Sequence, residues 1–285
     1  MARGAVNQAS QVVVKSPSGA KVKNKNNEWT KKILPPVIAM VSFIVLWQLV
    51  VTLIGTPHYI LPKPTDIYEA AVKNWSNLSD ALTTTIISAV SGFILSVIGG
   101  IGVAVLMASS KLVERSFYPY AIILQTIPVV AIAPIIVIWF GSGMNAIVII
   151  AFTIGFFPML SNTLIGLNTT DHNMKNLFYL YNASRWQVMW KLRFPAALPY
   201  IIAGAKISCT LAVVGAIVGE YIAGVGGGAG GLGYAITVAA SRLQTPYLFA
   251  LGLSAAVLGI AFFLLVSYIS RIFLGSWHES EMEQE

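Results

Sequence analysis

The residues of this chain that could do chemistry are few. Glu220 closes the apolar run VVGAIVGE, and Gly226, Gly228 and Gly231 soon after it spell G-x-G-x-x-G. This pattern binds a dinucleotide only where it follows a strand and opens a helix, and a phosphate-binding P-loop would need a Lys followed by Ser or Thr. Neither context is present. We interpret the glycines as a loop that allows tight turns between apolar segments.

Metal and hydrolytic chemistry have no better support. The chain has three histidines and one cysteine, and His58, His172 and His278 have no ligand spacing and no Cys or carboxylate cluster beside them. Cys209 stands alone, so it can form no intrachain disulfide. No Ser, His and Asp arrangement and no carboxylate pair is placed for hydrolysis. The sequence predicts a protein that is not an enzyme and has no nucleotide site or metal site of its own.

Composition shows where these residues must be held. The 285 residues are 56% hydrophobic and 10% charged, with a mean hydropathy of +0.74, whereas about a quarter of an ordinary soluble domain is charged. A helix needs about 20 apolar residues to cross a bilayer. The sequence predicts an all-α membrane protein with six transmembrane helices, near residues 33–55, 82–108, 117–140, 146–167, 200–221 and 247–273.

The positive charges predict the orientation. Most of the 18 Lys and Arg residues lie in the N-terminal tail, in the second and fourth loops and after the last span, which all fall on one side. Lys63, Lys73 and Arg242 are on the other side. Both termini are therefore predicted to be cytoplasmic, with a disordered basic tail at 1–32, a six-helix transmembrane domain at 33–273 and a C-terminal tail at 274–285. The net charge of +7 suits anionic lipid rather than nucleic acid.

Four residues are candidates for a transport pathway. Pro128 and Pro134 interrupt the third span, with Gln125 nearby, and breaks of this kind are tolerated where a helix faces protein or a cavity. Simple kinks are the alternative. Glu220 is expected to be functional because an acidic group at membrane depth costs a few kcal/mol. A position in the pathway and a water-exposed position at the interface are both open for it.

Residues 171–199, here called the polar segment, form an unusually long connection between the fourth and fifth spans. The pattern predicts a first short helix with an apolar face (Met174, Leu177, Phe178 and Tyr181). Asn182 is expected to end this helix in the left-handed conformation. Ser184 and Gln187 match a capping box that opens a second helix, with Trp186, Met189, Trp190 and Phe194 on one face. Such a face needs cover, either from a partner or from the protein's own spans.

The polar segment resembles the cytoplasmic signature of permeases from binding-protein-dependent ABC importers. That signature runs Glu-Ala-Ala, three residues, Gly, nine residues, Ile, one residue, Leu-Pro. Asn182 stands at the Gly, Leu192 at the Ile, and Phe194-Pro195 at the Leu-Pro. Asn176-Leu177-Phe178 departs from Glu-Ala-Ala, which puts a carboxylate contact to the ATPase in doubt. LPKPTDI, QTIPVVAIAPIIVIWFGSG and GEYIAG followed by GLGY extend the resemblance over most of residues 33–273.

The resemblance implies a type I ABC importer permease in the bacterial inner membrane. Its partners would be separate ABC ATPase subunits that bind ATP and Mg²⁺, a periplasmic substrate-binding protein and a second permease copy, with a homodimer expected. The ATPase-coupling positions would be Asn176, Leu177, Phe178, Asn182, Ala183, Ser184, Arg185, Trp186, Leu192 and Pro195. The chain resembles the branch of this family that takes up nitrate, sulfonate, taurine or bicarbonate, or pyrimidine precursors and riboflavin. The sequence IPVVAIAP is closer to that of the pyrimidine-like members than to that of the nitrate and bicarbonate members.

Two other classes of function are open from the residues alone. One is an ion-coupled secondary transporter with Glu220 as its ion or proton site, although the halves of the chain show no clear internal symmetry. The other is a receptor-like membrane protein in which the polar segment makes a signalling contact.

Overall fold

The computed structural model describes residues 25–224 and 230–274, with side chains for 34–224 and 230–272. Every regular element among these residues is a helix, which confirms the all-α prediction. Residues 1–24 of the predicted N-terminal tail, Gly226, Gly228, His278 and nearly all of the C-terminal tail lie outside the described residues.

The first helix, α1, is a unit of its own and spans Lys25–Ile54. It begins before residue 33, where the predicted span starts, and its apolar part is Leu34–Ile54. The domain boundaries stay a prediction. Hydropathy locates the apolar part of a helix, and it does not detect a polar extension such as KNNEWTKK. Pro35 and Pro36 are inside the helix.

The remaining helices form the second unit. They are α2 (Pro64–Lys73), α3 (Trp75–Ala108), α4 (Lys111–Thr126), α5 (Val129–Phe140), α6 (Met144–Asn168), α7 (His172–Leu180), α8 (Arg185–Val188), a π-helical turn (Met189–Arg193), α9 (Phe194–Ala223), α10 (Leu232–Ser241) and α11 (Thr245–Leu274).

The core of this unit is the packing of α3, α6 and α9. Small residues let these helices approach closely: a Cβ added at Gly155 would meet the Ser96 side chain at 2.7 Å. Two hydroxyls donate hydrogen bonds across the interfaces, from Ser96 Oγ to the Phe152 carbonyl at 2.9 Å and from Ser208 Oγ to the Gly155 carbonyl at 2.7 Å. Small residues and interhelical hydrogen bonds of this kind are typical of helix association in membranes.

The third predicted span is broken rather than kinked. The helices α4 and α5 meet at an angle of 98°, with Ile127 and Pro128 between them. Pro128 lacks the N–H that a continuous helix would need, and it restricts the residue before it to an extended conformation. Among the described residues, five helices are long and apolar enough to cross a membrane, or six if the α4 and α5 pair is one span.

The sequence did not predict the helix α10, which begins directly after Gly231, the last of the glycines interpreted as a loop. Leu232, Gly233 and Tyr234 form its first turn. Glycines lower helix propensity, so the contacts described below, rather than local preference, hold this end of the helix.

Candidate functional site

The turn inside the polar segment has the predicted conformation. Asn182 has φ 51°, and the N–H groups of Asn182 and Ala183 donate to the carbonyls of Tyr179 and Phe178, both at 3.0 Å. This is the Schellman arrangement, which satisfies carbonyls that a helix end leaves free. At the start of α7, Asp171 Oδ1 accepts from the Asn173 N–H at 2.9 Å. The short helix α7 is thus closed at both ends by the chain itself.

The predicted capping box at the start of α8 is also confirmed. The Gln187 N–H donates to Ser184 Oγ at 3.2 Å, and the Ser184 N–H donates to Gln187 Oε1 at 2.8 Å. After α8 the backbone passes into the π-helical turn and continues as α9. Because no flexible connection separates α8 from α9, a displacement of α8 acts directly on the start of a long helix.

The aromatic face of α8 is exposed. Trp186 is 67% exposed and Trp190 43% exposed. The Trp190 ring lies 5.5 Å from that of Trp186 and 5.0 Å from that of Phe194, centroid to centroid. Met189, which we predicted on the same face, is buried in the core with an exposure of 4%. Met189 lies at the edge of the predicted face, where a small rotation turns it inward.

The positions that correspond to Glu-Ala-Ala lie on α7. Leu177 is 46% exposed, and Phe178 is half-buried. Asn176 is exposed, and its side-chain amide is 3.1 Å from His172 Nδ1, one turn earlier. Ala183, Leu192 and Pro195 are half-buried, and Ser184 and Arg185 are exposed. Both short helices of the polar segment therefore expose side chains, which are aliphatic and polar on α7 and aromatic and polar on α8.

Arg193 fixes the polar segment to the ends of two spanning helices. Its guanidinium donates from Nε to the Leu167 carbonyl at 2.9 Å, from Nη1 to the Ala108 carbonyl at 2.7 Å and from Nη2 to Asn168 Oδ1 at 2.7 Å. Ala108 ends α3, and Leu167 and Asn168 end α6. A cation is favourable at a helix C-terminus, where free carbonyls and the helix dipole are negative. One side chain thus caps two helices.

Asn168 extends this connection to α4, because its Nδ2 donates to Glu114 Oε1 at 2.7 Å. Glu114 is in the first turn of α4, where a carboxylate is favourable.

Glu220 is the centre of a second polar cluster, at the other end of α9. Its side chain is buried, with 1% exposure. Oε2 accepts from Thr85 Oγ1 and from the Gly233 N–H, both at 2.9 Å, and Oε1 accepts from Ser88 Oγ at 3.2 Å. The Leu232 N–H donates to Thr85 Oγ1 at 2.8 Å. The carboxylate therefore joins α3 and α9 to the first turn of α10, where free N–H groups favour a negative charge.

This geometry explains why positions 231 and 233 of the GLGY sequence are glycine. A Cβ added at Gly231 would collide with the Glu220 carboxylate, and one at Gly233 with the Ile217 carbonyl. The backbone of α10 can approach the carboxylate only because these side chains are absent. The water-exposed position that the sequence left open for Glu220 does not occur in this structure.

The four pathway candidates do not share one environment. Gln125, Pro128 and Pro134 are exposed on α4, α5 and the break between them. The helix α5 packs on α6 and α9 through Ala133 and Ile136. None of the three candidates is among the hydrogen-bond partners of Glu220. A pathway role for these four residues remains a prediction.

Sequence reasoning missed the partners of both polar clusters. Thr85 and Ser88 are one turn apart in an apolar span, and Ser and Thr at that spacing share a helix face. That pairing could have indicated a buried polar group opposite α3. The sequence places Arg193 only among the positive charges of the fourth loop, and no local pattern shows that it reaches residues 26 and 85 positions away.

Comparison with known proteins gives one consistent result. The family described as "Binding-protein-dependent transport system inner membrane component" matches residues 96–277. The chain is 32% identical to the riboflavin transport system permease protein RibX of Chloroflexus aurantiacus over 89% of this chain and 92% of that protein. It is 34% identical to the formylaminopyrimidine transport permease protein ThiX of Halalkalibacterium halodurans, over 87% of this chain and 97% of that protein.

More distant likeness agrees with this. The nitrate import permease protein NrtB of Synechocystis is 25% identical over 73% of this chain and 80% of that protein. A chain in the crystal structure of an amino acid ABC transporter with histidines superposes with a TM-score of 0.56 at 18% identity, covering 70% of this chain and 95% of that one. At that identity the likeness concerns the fold alone.

Proposed function

We propose that this chain is the permease subunit of an ATP-driven importer, because it belongs to the family of binding-protein-dependent transport system inner membrane components. Membership makes it a multi-pass transport protein of the bacterial inner membrane rather than an enzyme. ATP and Mg²⁺ would be bound by separate ABC ATPase subunits. A periplasmic binding protein would deliver the substrate, and both termini would be cytoplasmic.

The main support for this proposal is the structure of the polar segment. Its surface exposes Trp186, Trp190 and Leu177, which is the kind of apolar, aromatic surface that a partner's groove covers. Its base is tied by Arg193 to the ends of α3 and α6. A segment that offers a docking face and is bound to the spanning helices can transmit movement from an ATPase to the membrane domain.

In this mechanism two copies of the chain form one pathway. Closure of the two ATPase subunits on ATP would draw the two polar segments together. Because α8 continues into α9 and Arg193 caps α3 and α6, these helices would move with the segment as a body, which alternates access between the two sides. The coupling positions Asn176, Leu177, Phe178, Asn182, Ala183, Ser184, Arg185, Trp186, Leu192 and Pro195 are proposed on this basis.

We propose a small, organic, pyrimidine-like or vitamin-like solute as the substrate. The relatives named for riboflavin and formylaminopyrimidine are 32% and 34% identical, against 25% for the nitrate relative. Sulfonate, taurine, nitrate or bicarbonate are the alternative substrates.

A single substitution tests the coupling role. Trp186→Glu places a charge in the exposed aromatic face and is expected to abolish co-purification with the ABC ATPase expressed alongside, and ATP-dependent uptake with it, while membrane insertion is unchanged. Trp75→Glu is the matched control, because Trp75 is 65% exposed at the start of α3 and outside the polar segment. It is expected to retain the ATPase.

Two results would overturn the proposal. One is retention of the ATPase by Trp186→Glu at the level of the control. The other is uptake that persists in ATP-depleted vesicles under an ion gradient, which would support the ion-coupled secondary transporter instead.

A further inference from the structure

A cavity of about 1070 Å³ lies between the start of α4 and the polar segment. The end of α3 and the turn at Ser109 and Ser110 form one wall, and side chains of α7 and α8 form another. Three of the proposed coupling positions (Ala183, Arg185 and Trp186) are part of this lining. The proposed function assigns no ligand to the cavity itself.

The lining is strongly basic. Five cations (Lys111, Arg115, Lys175, Arg185 and Arg193) surround the cavity, with Glu114 as the single carboxylate of the lining. Glu114 accepts from Asn168, and three of the five N–H donors of Arg193 are used on carbonyl oxygens. The other four cations form no hydrogen bond or ion pair within the part of the chain that the structure describes.

These cations affect one another. Partial burial lowers the pKa of Lys175, and the positive charges of Arg193 and Lys111 lower it further, against an opposing effect of Asp171. Like charges held around one cavity repel, and an anion placed among them would relieve that repulsion. The cavity is thus complementary to a compact negative group.

The lining also has an apolar part. Leu112, Trp186 and Val105 contribute to the wall, and Leu112 is 76% exposed. Leu112, Tyr120 and Ile123 lie on one face of α4 by helical spacing, and Tyr120 and Ile123 are 65% and 58% exposed. This face runs from the cavity along α4, which forms the first half of the broken α4 and α5 pair. A ligand with a negative head and an apolar tail would match both parts.

We infer that this cavity is a binding site for the phosphate headgroup of an anionic phospholipid from the cytoplasmic leaflet, with its acyl chains along α4. Basic pockets between spanning helices on the cytoplasmic side suit such headgroups. The inference rests on the orientation in the proposed function, since it requires the polar segment to be cytoplasmic. Trp186 lies both in the cavity wall and on the docking surface, so the occupied site would support the position of α8.

The test measures binding of phosphatidylglycerol to the purified full chain by native mass spectrometry and by thermal protection in mixed micelles. Phosphatidylcholine and inorganic phosphate are the comparison probes. Phosphatidylglycerol is expected to bind at a saturable site and to raise the unfolding temperature, whereas the other two have no effect. K111Q/R115Q removes two exposed cations and is expected to weaken this binding about tenfold or more. The matched variant K73Q/R242Q, at the other end of the helices, is expected to bind like the wild type.

Three results would overturn the inference. Equal binding by both double variants would reduce the effect to general attraction to an anionic surface. Protection by inorganic phosphate that K111Q/R115Q abolishes would make the free anion the ligand. Displacement of the lipid when the ATPase binds would assign the cavity to a protein interface. Lipid binding is first measured on the chain without ATPase, which is added only for the displacement measurement. Failure to bind lipid is therefore distinct from failure of the Trp186→Glu test.

Discussion

The Glu220 cluster predicts that two substitutions of one residue differ sharply. Glu220→Gln should be mild, because an amide can be placed with its oxygen at the position of Oε2. It would keep the hydrogen bonds from Thr85 Oγ1 and the Gly233 N–H. Its NH₂ group would then donate to Ser88 Oγ, whose own proton can go to the Thr84 or Thr85 carbonyl, each 3.1 Å away. Glu220→Ala offers none of these contacts.

The magnitudes follow from counting what each variant loses. Glu220→Gln loses the charge assistance of its hydrogen bonds and the attraction to the first turn of α10, for a total of about 1–2 kcal/mol. In Glu220→Ala, Thr85 and Ser88 can fall back on backbone carbonyls of their own helix. The Gly233 N–H is left buried without an acceptor, at about 1–3 kcal/mol. The cavity that remains adds about 2 kcal/mol or more, which makes a total of about 3–5 kcal/mol.

The assay is the apparent unfolding temperature of the purified variants in detergent, together with uptake in vesicles. Asp80→Ala is the control, because Asp80 is an exposed carboxylate on α3, and it should leave stability unchanged within about 0.5 kcal/mol. We expect wild-type uptake for Glu220→Gln and a marked loss of folded protein for Glu220→Ala. Normal stability but no uptake in Glu220→Gln would refute the structural interpretation, because the charge itself would then be needed for transport. Wild-type stability of Glu220→Ala would refute the estimate of the hydrogen bonds.

Two further predictions concern the polar segment. Arg193→Leu removes three hydrogen bonds from a charged donor and should lower the free energy of unfolding by about 2–4 kcal/mol. Uptake should fall more than ATP hydrolysis does, with Arg193→Lys intermediate. Equal losses of uptake and hydrolysis would contradict a positioning role. Asn182→Gly should match the wild type in stability and uptake. Asn182→Val should destabilise the turn by about 1–2 kcal/mol, because its branched Cβ opposes the left-handed conformation. Co-purification of the ATPase measures the effect, and full retention of the ATPase by Asn182→Val would show that the turn is not required.

Local patterns predicted the parts of this fold that depend on neighbours in sequence. The capping box of Ser184 and Gln187 and the left-handed Asn182 involve residues within a few positions of each other, and both are confirmed. Apolar runs located the spans for the same reason. The break at Ile127 and Pro128 was only partly foreseen, because a proline permits a kink or a full break and the neighbouring helices decide which occurs.

The polar clusters could not be predicted because their contacts are tertiary. Thr85 and Glu220 are 135 positions apart, and in an apolar span a Ser or Thr can equally bond to its own helix, as Thr83 and Thr84 do. We therefore predicted a position in the pathway or a water-exposed position for Glu220, and did not consider a buried carboxylate among hydrogen-bond donors. Met189 was misplaced for a related reason, since helical spacing defines a face but not its edges.

The two clusters act on the same helices at opposite ends. Thr85 and Ala108 on α3 are about 35 Å apart by helical rise; one contacts Glu220 and the other contacts Arg193. The helix α9 carries Glu220 near its last turn and follows directly on Arg193. Between these ends, α3, α6 and α9 are close-packed through small residues. A group of helices fixed in this way resists bending and sliding, so a force on the polar segment is expected to turn the three helices together. The broken pair α4 and α5, with no buried side chain on α4, is then the part that must adapt to their movement.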